Sequence, residues 1–208
     1  MMTIVADKPA SIFFPEFFES NEYFIDEKVG LFKFHNEYKV YDQTATAVGR
    51  IVQRVPGSHK LLRLFLNKSM LPFTLEIIDN NDAVLVTIQR GWTFWMSKIT
   101  ILDASGNISG YIRQKFKLLK PRFIILNADE EQIAEINGDW KAWNFGITST
   151  NGRAIGFINK KWAGMAKELF TSADKYHVSI IPEYAEDHNK VNIVATAITI
   201  DMVLKENK

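Results

Sequence analysis

Residues Lys190 to Lys205 read KVNIVATAITIDMVLK, and the conformation of this stretch decides the rest of the chain. At roughly 100° per residue, Asn192, Thr196 and Thr199 share one narrow stripe of a helix and nearly everything else is apolar. A strand would mix both faces, with Asn192 and Thr196 on one and Thr199 and Asp201 on the other. A helix is therefore expected. Its β-branched residues, among them Val191, Ile193, Val194, Ile198, Ile200 and Val203, lose χ1 freedom in a helix, so burial has to override local propensity. A helix apolar over most of its circumference must be surrounded by protein. From Val191 to Leu204 it is shorter than the ~20 residues that cross a bilayer, and it carries Asn192 and Asp201. Asp201 falls on an otherwise apolar face near the negative end of the helix dipole, so it needs a cationic or hydrogen-bonding partner, or an exit to solvent.

Working backwards, four units repeat one pattern of apolar strand, turn rich in Asp, Asn or Gly, and second apolar strand. They are FTLEIIDNNDAVLVTI, KITILDASGNISGYI, FIILNADEEQIAEI and FGITSTNGRAIGFI, closing on Ile88, Ile112, Ile136 and Ile158 at spacings of 24, 24 and 22 residues. Asp79-Asn80-Asn81, Ala104 to Asn107 and Asn151-Gly152 supply residues that tolerate the positive φ of tight reversals. An earlier pair, Glu37 to Tyr41 and Ala47 to Val52 around Asp42-Gln43-Thr44, looks like a further copy. At least five hairpins must close into a barrel or split into packed sheets, because an open sheet would leave long edges. A barrel of that size needs a filling, and the terminal helix is the one segment apolar on most sides. The expected fold is mainly β: a closed antiparallel barrel of repeated hairpins wrapped around a central hydrophobic C-terminal helix.

The chain of 208 residues then divides into an aromatic N-terminal segment over 1–20, a β-meander over 30–182 and a central helix over 187–206, all in one domain. Ile12, Phe13, Phe14, Phe17 and Phe18 are expected to plug a groove or a barrel end, with a membrane-dipping loop as the alternative. KKWAGMAKELF offers Trp162, Met165, Ala166 and Leu169 at helical spacing, but Gly164 interrupts it and the meander needs a returning strand, so a strand is expected. Tyr176, Val178 and Ile180 alternate as a strand that Pro182 ends, and Asp187 or Asn189 can cap the helix.

Composition narrows the function. The content of 47% hydrophobic and 24% charged residues is globular, and a net charge of +1 exerts no general pull toward nucleic acid or membrane. The absence of cysteine removes disulfides, thiolate metal sites and a Cys nucleophile. MMTIVADKPASIFF lacks a basic n-region followed by a long apolar run, which places the protein in the cytoplasm. No Gly-x-Ser-x-Gly elbow, P-loop, dinucleotide fingerprint or His-Glu-x-x-His occurs, and His35, His59, His177 and His188 are scattered without ligand spacing. No catalytic residue, metal or cofactor is expected.

Charge concentrates in one place, RQKFKLLKPR. In a strand Arg113, Lys115 and Lys117 share one face, and with Lys120 and Arg122 they form a cationic stripe on the barrel's outer wall, to which the repeat's register adds Lys160 and Lys161. Such a stripe suits anionic head groups; equally, it could be a sheet edge kept basic to block strand pairing. Trp92, Phe94 and Trp95 are an aromatic cluster that core packing explains better than an interfacial anchor. A second basic group, Arg50, Arg54, His59, Lys60 and Arg63, is weaker as a stripe.

The C-terminal portion resembles phospholipid scramblases and their LURP-one-related relatives. The family's Gly-aliphatic-Ile-x-Lys-x-Trp block is similar to Gly156 to Trp162, its Glu-x-Phe-Thr-x-Ala-Asp block to Glu168 to Asp174, and its terminal Ile-Asp to Ile200-Asp201. The resemblance covers roughly residues 30–205 and implies a tubby-like barrel around a central helix. It also implies a calcium-binding segment, from which this chain departs. Ser172 stands where the family has its first Asp, Asp174 and Glu183 remain, and Tyr176, Val178 and Ile180 lie between, whereas calcium takes six to eight oxygens. The expectation is a scramblase-related, non-enzymatic module that binds anionic phospholipids at a membrane surface, peripheral and cytoplasmic, with scrambling as the activity the family implies. The alternative is a soluble interaction or structural barrel without a lipid role.

Overall fold

The computed structural model describes residues 15–28, 37–54, 71–92, 98–117, 120–139, 141–160, 175–184, 187 and 189–205. Twelve antiparallel strands close a barrel in strict chain order: β1 (Glu22–Lys28), β2 (Glu37–Tyr41), β3 (Ala47–Arg54), β4 (Phe73–Asp79), β5 (Val84–Arg90), β6 (Lys98–Leu102), β7 (Ile108–Lys117), β8 (Lys120–Asn127), β9 (Gln132–Asp139), β10 (Asn144–Ser149), β11 (Ala154–Asn159) and β12 (Lys175–Ile180), with β12 returning to β1. One helix, α1 (Lys190–Lys205), fills it. All hairpins of the sequence repeat form as expected, and Ile88, Ile112, Ile136 and Ile158 are fully buried.

Five turns are built alike, at Asp42, Asp79, Asp103, Asn127 and Ser149. In each, the first residue's N–H donates to the carbonyl four residues on, and the fourth residue's N–H returns to the first carbonyl. The fourth residue takes positive φ: Ala45 at 62°, Asp82 at 66°, Gly106 at 83°, Glu130 at 64° and Gly152 at 81°. That residue is the αL position of a three-residue hairpin loop, and a register shift follows in every ladder. The first side chain locks the loop: Asp103 Oδ1 accepts the N–H groups of Ser105 and Asn107, both at 2.9 Å, and Asp42 and Asp79 do the same in their loops. The five tight turns lie at one end of the barrel, the hairpin rim. The remaining strand-to-strand connections leave from the opposite end, the open rim, and the link from β12 to α1 leaves from the hairpin rim.

The barrel starts earlier than position 30. β1, EYFIDEK, pairs with β2 and with β12, turning Tyr23 and Ile25 inward with no exposure, and supplies the closure. Its acidic residues and a partner strand some 150 residues away hide it from any local pattern. Just before it a single 3-10 turn, Glu16–Phe18, buries Phe17 and Phe18 at the hairpin rim, as the plug reading expects; Ile12, Phe13 and Phe14 lie outside the described residues. So does most of KKWAGMAKELF.

Inward-facing rows such as Ile51, Ile77 and Val86, or Ile99, Ile112, Ile125 and Ala134, run from strand to strand around the barrel and meet α1. From Asn192 to Leu204 no residue of α1 is more than 5% exposed, which is the burial its β-branched sequence requires. Its polar atoms are satisfied inside. Thr196 and Thr199 donate to the helix's own carbonyls at Asn192 (2.7 Å) and Ala195 (2.6 Å). Asn192 exchanges two bonds with Ser109, at 2.7 and 2.8 Å. Asp201 accepts from the Tyr38 hydroxyl at 3.1 Å, the hydrogen-bonding partner its position demanded, and the Tyr176 hydroxyl donates to the Ile198 carbonyl. Lys190, buried at the hairpin rim, donates to Asn21 Oδ1 at 2.9 Å, and burial lowers its pKa.

Candidate functional site

The basic stripe sits on the outside of β7 and β8. The ladder sets Arg113 opposite Ile124, Lys115 opposite Arg122, and Lys117 opposite Lys120, so Arg113, Lys115 and Arg122 share the outer face and Lys117 and Lys120 are the next pair of the same register. Arg113 and Lys115 are exposed, and Arg122 is partly so. On the neighbouring strand Lys98 lies directly beside Arg113. Sequence reasoning missed Lys98, because only pairing across the Asp103 hairpin reveals that these residues, fifteen apart, are neighbours. Its ammonium also sits 3.6 Å from the Tyr111 ring centroid, a cation–π contact.

Two carboxylates serve this surface. Glu130 bridges Lys98 and Arg113, and the hydrogen bond from Lys98 leads the effects that hold its carboxyl below the usual range. Glu135 pairs with Arg122. Burial pushes its carboxyl up, but hydrogen bonds from Arg122 and Asn137 outweigh this and leave it low. No carboxylate of the described residues pairs with Lys115, which faces Arg122 instead. The basic positions of β6 to β8 outnumber the two carboxylates that pair with them.

One candidate lies elsewhere. Lys160 follows β11, three strands from β8, and its ammonium rests 4.5 Å from the Trp143 ring centroid, so it is not part of this wall. Matching repeat registers bring residues to the same height on the barrel, not to the same side of it. Lys161 lies outside the described residues. Trp92 is 50% exposed, contrary to the core packing expected for it, because β5 ends at Arg90 and the chain leaves the wall there; Phe94 and Trp95 are outside the described residues. In the second basic group Arg50 pairs with Asp82 and Arg54 with Glu76.

Two further regions bear on chemistry. Tyr176, Val178 and Ile180, in the segment that the resemblance assigns to calcium, are core residues of β12 with at most 1% exposure. On the outer face where β1 meets β12, Glu22 of β1 is a hub: it accepts from Ser179 at 2.7 Å and pairs with His177, whose ring stacks on Phe24 at 4.6 Å. The serine thus bonds to the carboxylate and not to the imidazole, which is not the arrangement of a base-activated nucleophile.

Among the described residues no helix is long and apolar enough to cross a membrane. A solved protein from Arabidopsis thaliana shares the fold at TM-score 0.52 and 9% identity, covering 88% of this chain and 90% of that one. Phospholipid scramblase family member 5 of Homo sapiens is 30% identical over 121 residues, 51% of this chain and 45% of the relative. Phospholipid scramblase 1 of Homo sapiens is 27% identical over 65% of this chain and 47% of its own length. Altered inheritance rate of mitochondria protein 25 of Saccharomyces cerevisiae is 22% identical over 81% of this chain and 58% of its own. The chain spans about half the length of these curated relatives. The Scramblase family model matches residues 25–207, from the first strand of the barrel to the end of its central helix, and the chain belongs to that family.

Proposed function

We propose that the outer wall of β6 to β8 binds anionic phospholipid head groups, docking the barrel peripherally on a membrane without covalent chemistry. One observation carries the reading. Lys115 faces Arg122 and Lys117 faces Lys120 on the part of the β7–β8 ladder that runs past Lys98–Arg113, the last β6–β7 pair among the described residues. Like charges directly opposite each other cost stability. At Lys115 and Lys117 an edge kept basic against strand pairing would account for that cost, but Arg122 sits where β8 is paired with both β7 and β9 and has no edge to protect. A phosphate-bearing partner would offset the repulsion, each basic residue contributing roughly 1 kcal/mol near an anionic surface.

Scrambling is the activity named in the relatives. It enters here as a second step after docking, since α1 is enclosed by strands and offers no face to lipid in this conformation. The test is flotation with phosphatidylcholine vesicles and with vesicles containing phosphatidylserine, at low and physiological salt. Co-flotation with the anionic vesicles alone, weakened by salt and reduced about tenfold or more by K115E/K117E, is the expected result. Flotation that ignores lipid charge, or none at all, would leave a barrel whose partner is a protein.

A further inference from the structure

A cleft of about 400 Å³ opens at the hairpin rim, between the β10–β11 turn and the segment that links β12 to α1. Both walls are fixed by hydrogen bonds. In the turn, the Ser149 hydroxyl donates to Asn151 Oδ1 at 2.6 Å, and the same oxygen accepts the Arg153 N–H at 3.2 Å. In the link, the Ile181 N–H donates to the Ile155 carbonyl at 2.8 Å, which ties it to β11. From there the N–H groups of Tyr184, Asp187 and Lys190 each bond the carbonyl three residues back, at 3.0, 3.3 and 2.9 Å, and carry the chain into α1. Ile133, Ile155 and Ile181 supply the apolar part of the lining.

The cleft holds two opposite charges that do not meet. Arg153 lines it from the turn and Glu183 from the link; both are exposed, and neither forms an ion pair with any described residue. Every other described arginine on the outside of the barrel has found a carboxylate: Arg50 with Asp82, Arg54 with Glu76, Arg113 with Glu130 and Arg122 with Glu135. The second acid of the cleft, Asp187, is already committed. Its Oδ1 accepts the Asn189 N–H at 2.7 Å, and its carboxylate takes the Tyr184 hydroxyl. Burial, reinforced by that carboxylate, pushes the Tyr184 pKa up to about 12, so the phenol stays neutral at physiological pH.

We infer that this cleft binds a small zwitterion, its carboxylate or phosphate held by Arg153 and its ammonium by Glu183. A guanidinium takes either oxyanion through paired N–H donors, and an ammonium with its own N–H groups needs an acceptor such as a carboxylate. A simple anion would be drawn to Arg153 but opposed by Glu183 and Asp187, and a simple cation would meet the reverse; a ligand carrying both signs satisfies both walls. The isoleucines suit the short carbon chain between the two charges. None of the basic residues of β6 to β8 lines the cleft, so the inference stands independently of the lipid-binding reading. Two sources share this chemistry, a free amino-acid-like solute and the head group of an aminophospholipid.

The test titrates the purified protein with O-phosphoethanolamine and with L-serine, read by calorimetry and by backbone amide NMR shifts. Saturable binding of at least one is expected, with the shifts concentrated in residues 149–155 and 181–189. Binding should weaken about tenfold or more in Arg153→Gln and in Glu183→Gln. Both side chains are exposed, so both variants should keep the wild-type unfolding midpoint, and the lost binding then belongs to the site. Ethyl phosphate and ethylamine, with one charge each, should bind about tenfold more weakly than the zwitterion. No saturable binding of either zwitterion, equally tight binding of ethyl phosphate, or shifts on β6 to β8 in place of the cleft would overturn the inference. Flotation separates the sources, because choline has no N–H to offer Glu183. Phosphatidylcholine vesicles that capture the protein only when they contain phosphatidylethanolamine, and lose it in Arg153→Gln, assign the cleft to a head group; binding in solution without such capture assigns it to a free solute.

Discussion

At the residue scale, the tight turns show which chemistry a hairpin needs and which it merely tolerates. Asp103 and Asn127 occupy the same position in successive loops, and each accepts backbone N–H through its side-chain oxygen. An amide thus does the work of the carboxylate. Asp103→Ala should lower stability by about 1 kcal/mol in denaturant unfolding, and Asp103→Asn by less than half of that. The two differ in acid. Hydrogen bonds from backbone N–H groups, Asn107 first, hold the Asp103 carboxyl below its ordinary value of 3.8. Its contribution is complete above that ordinary value and fades as pH falls through the lowered one, a loss the Asn variant escapes. In the same loop family Ala45 holds φ at 62° where Gly106 and Gly152 stand elsewhere. Ala45→Gly should therefore raise the unfolding midpoint, by up to about 1 kcal/mol, since relief of backbone strain exceeds the added entropy of the unfolded chain.

At the element scale, α1 depends on close approach as much as on apolarity. A Cβ on Gly110 would stand 2.3 Å from the Leu126 carbonyl oxygen and 2.8 Å from Asn192 Nδ2. Gly110→Ala forces either the β7–β8 ladder or the helix to move and should cost about 3 kcal/mol, read from chemical denaturation. At the other end of the helix, Tyr38→Phe removes a donor from the buried Asp201 carboxylate and should cost about 1–3 kcal/mol. The need for a partner at Asp201 was legible from its place on the helical wheel; that the partner is Tyr38 was not, because 163 residues separate the two. The polar stripe of Asn192, Thr196 and Thr199 was legible too. Its meaning changed with the fold, since both threonines turn back onto the helix and the whole stripe is buried.

At the scale of the whole molecule, a net charge of +1 conceals a concentration of basic positions on β6 to β8. Because Lys115 faces a like charge, its removal should affect stability and lipid binding differently. Lys115→Gln is expected to leave the unfolding free energy unchanged within ~0.5 kcal/mol, or to raise it. It should weaken binding to phosphatidylserine vesicles by about fivefold, roughly 1 kcal/mol. A matching loss in both measurements would make the stripe structural.

The sequence by itself determined the repeat, the hairpins, the buried helix and the cationic composition of β7 and β8, because each is a local pattern of alternation, turn residues or helical period. Only the tertiary structure decided the closure through β1, the partner of Asp201, the entry of Lys98 into the basic wall and the exclusion of Lys160 from it. Those depend on which strands become neighbours around a closed barrel. Periodicity assigns a residue a height and a face, but not a position on the circumference.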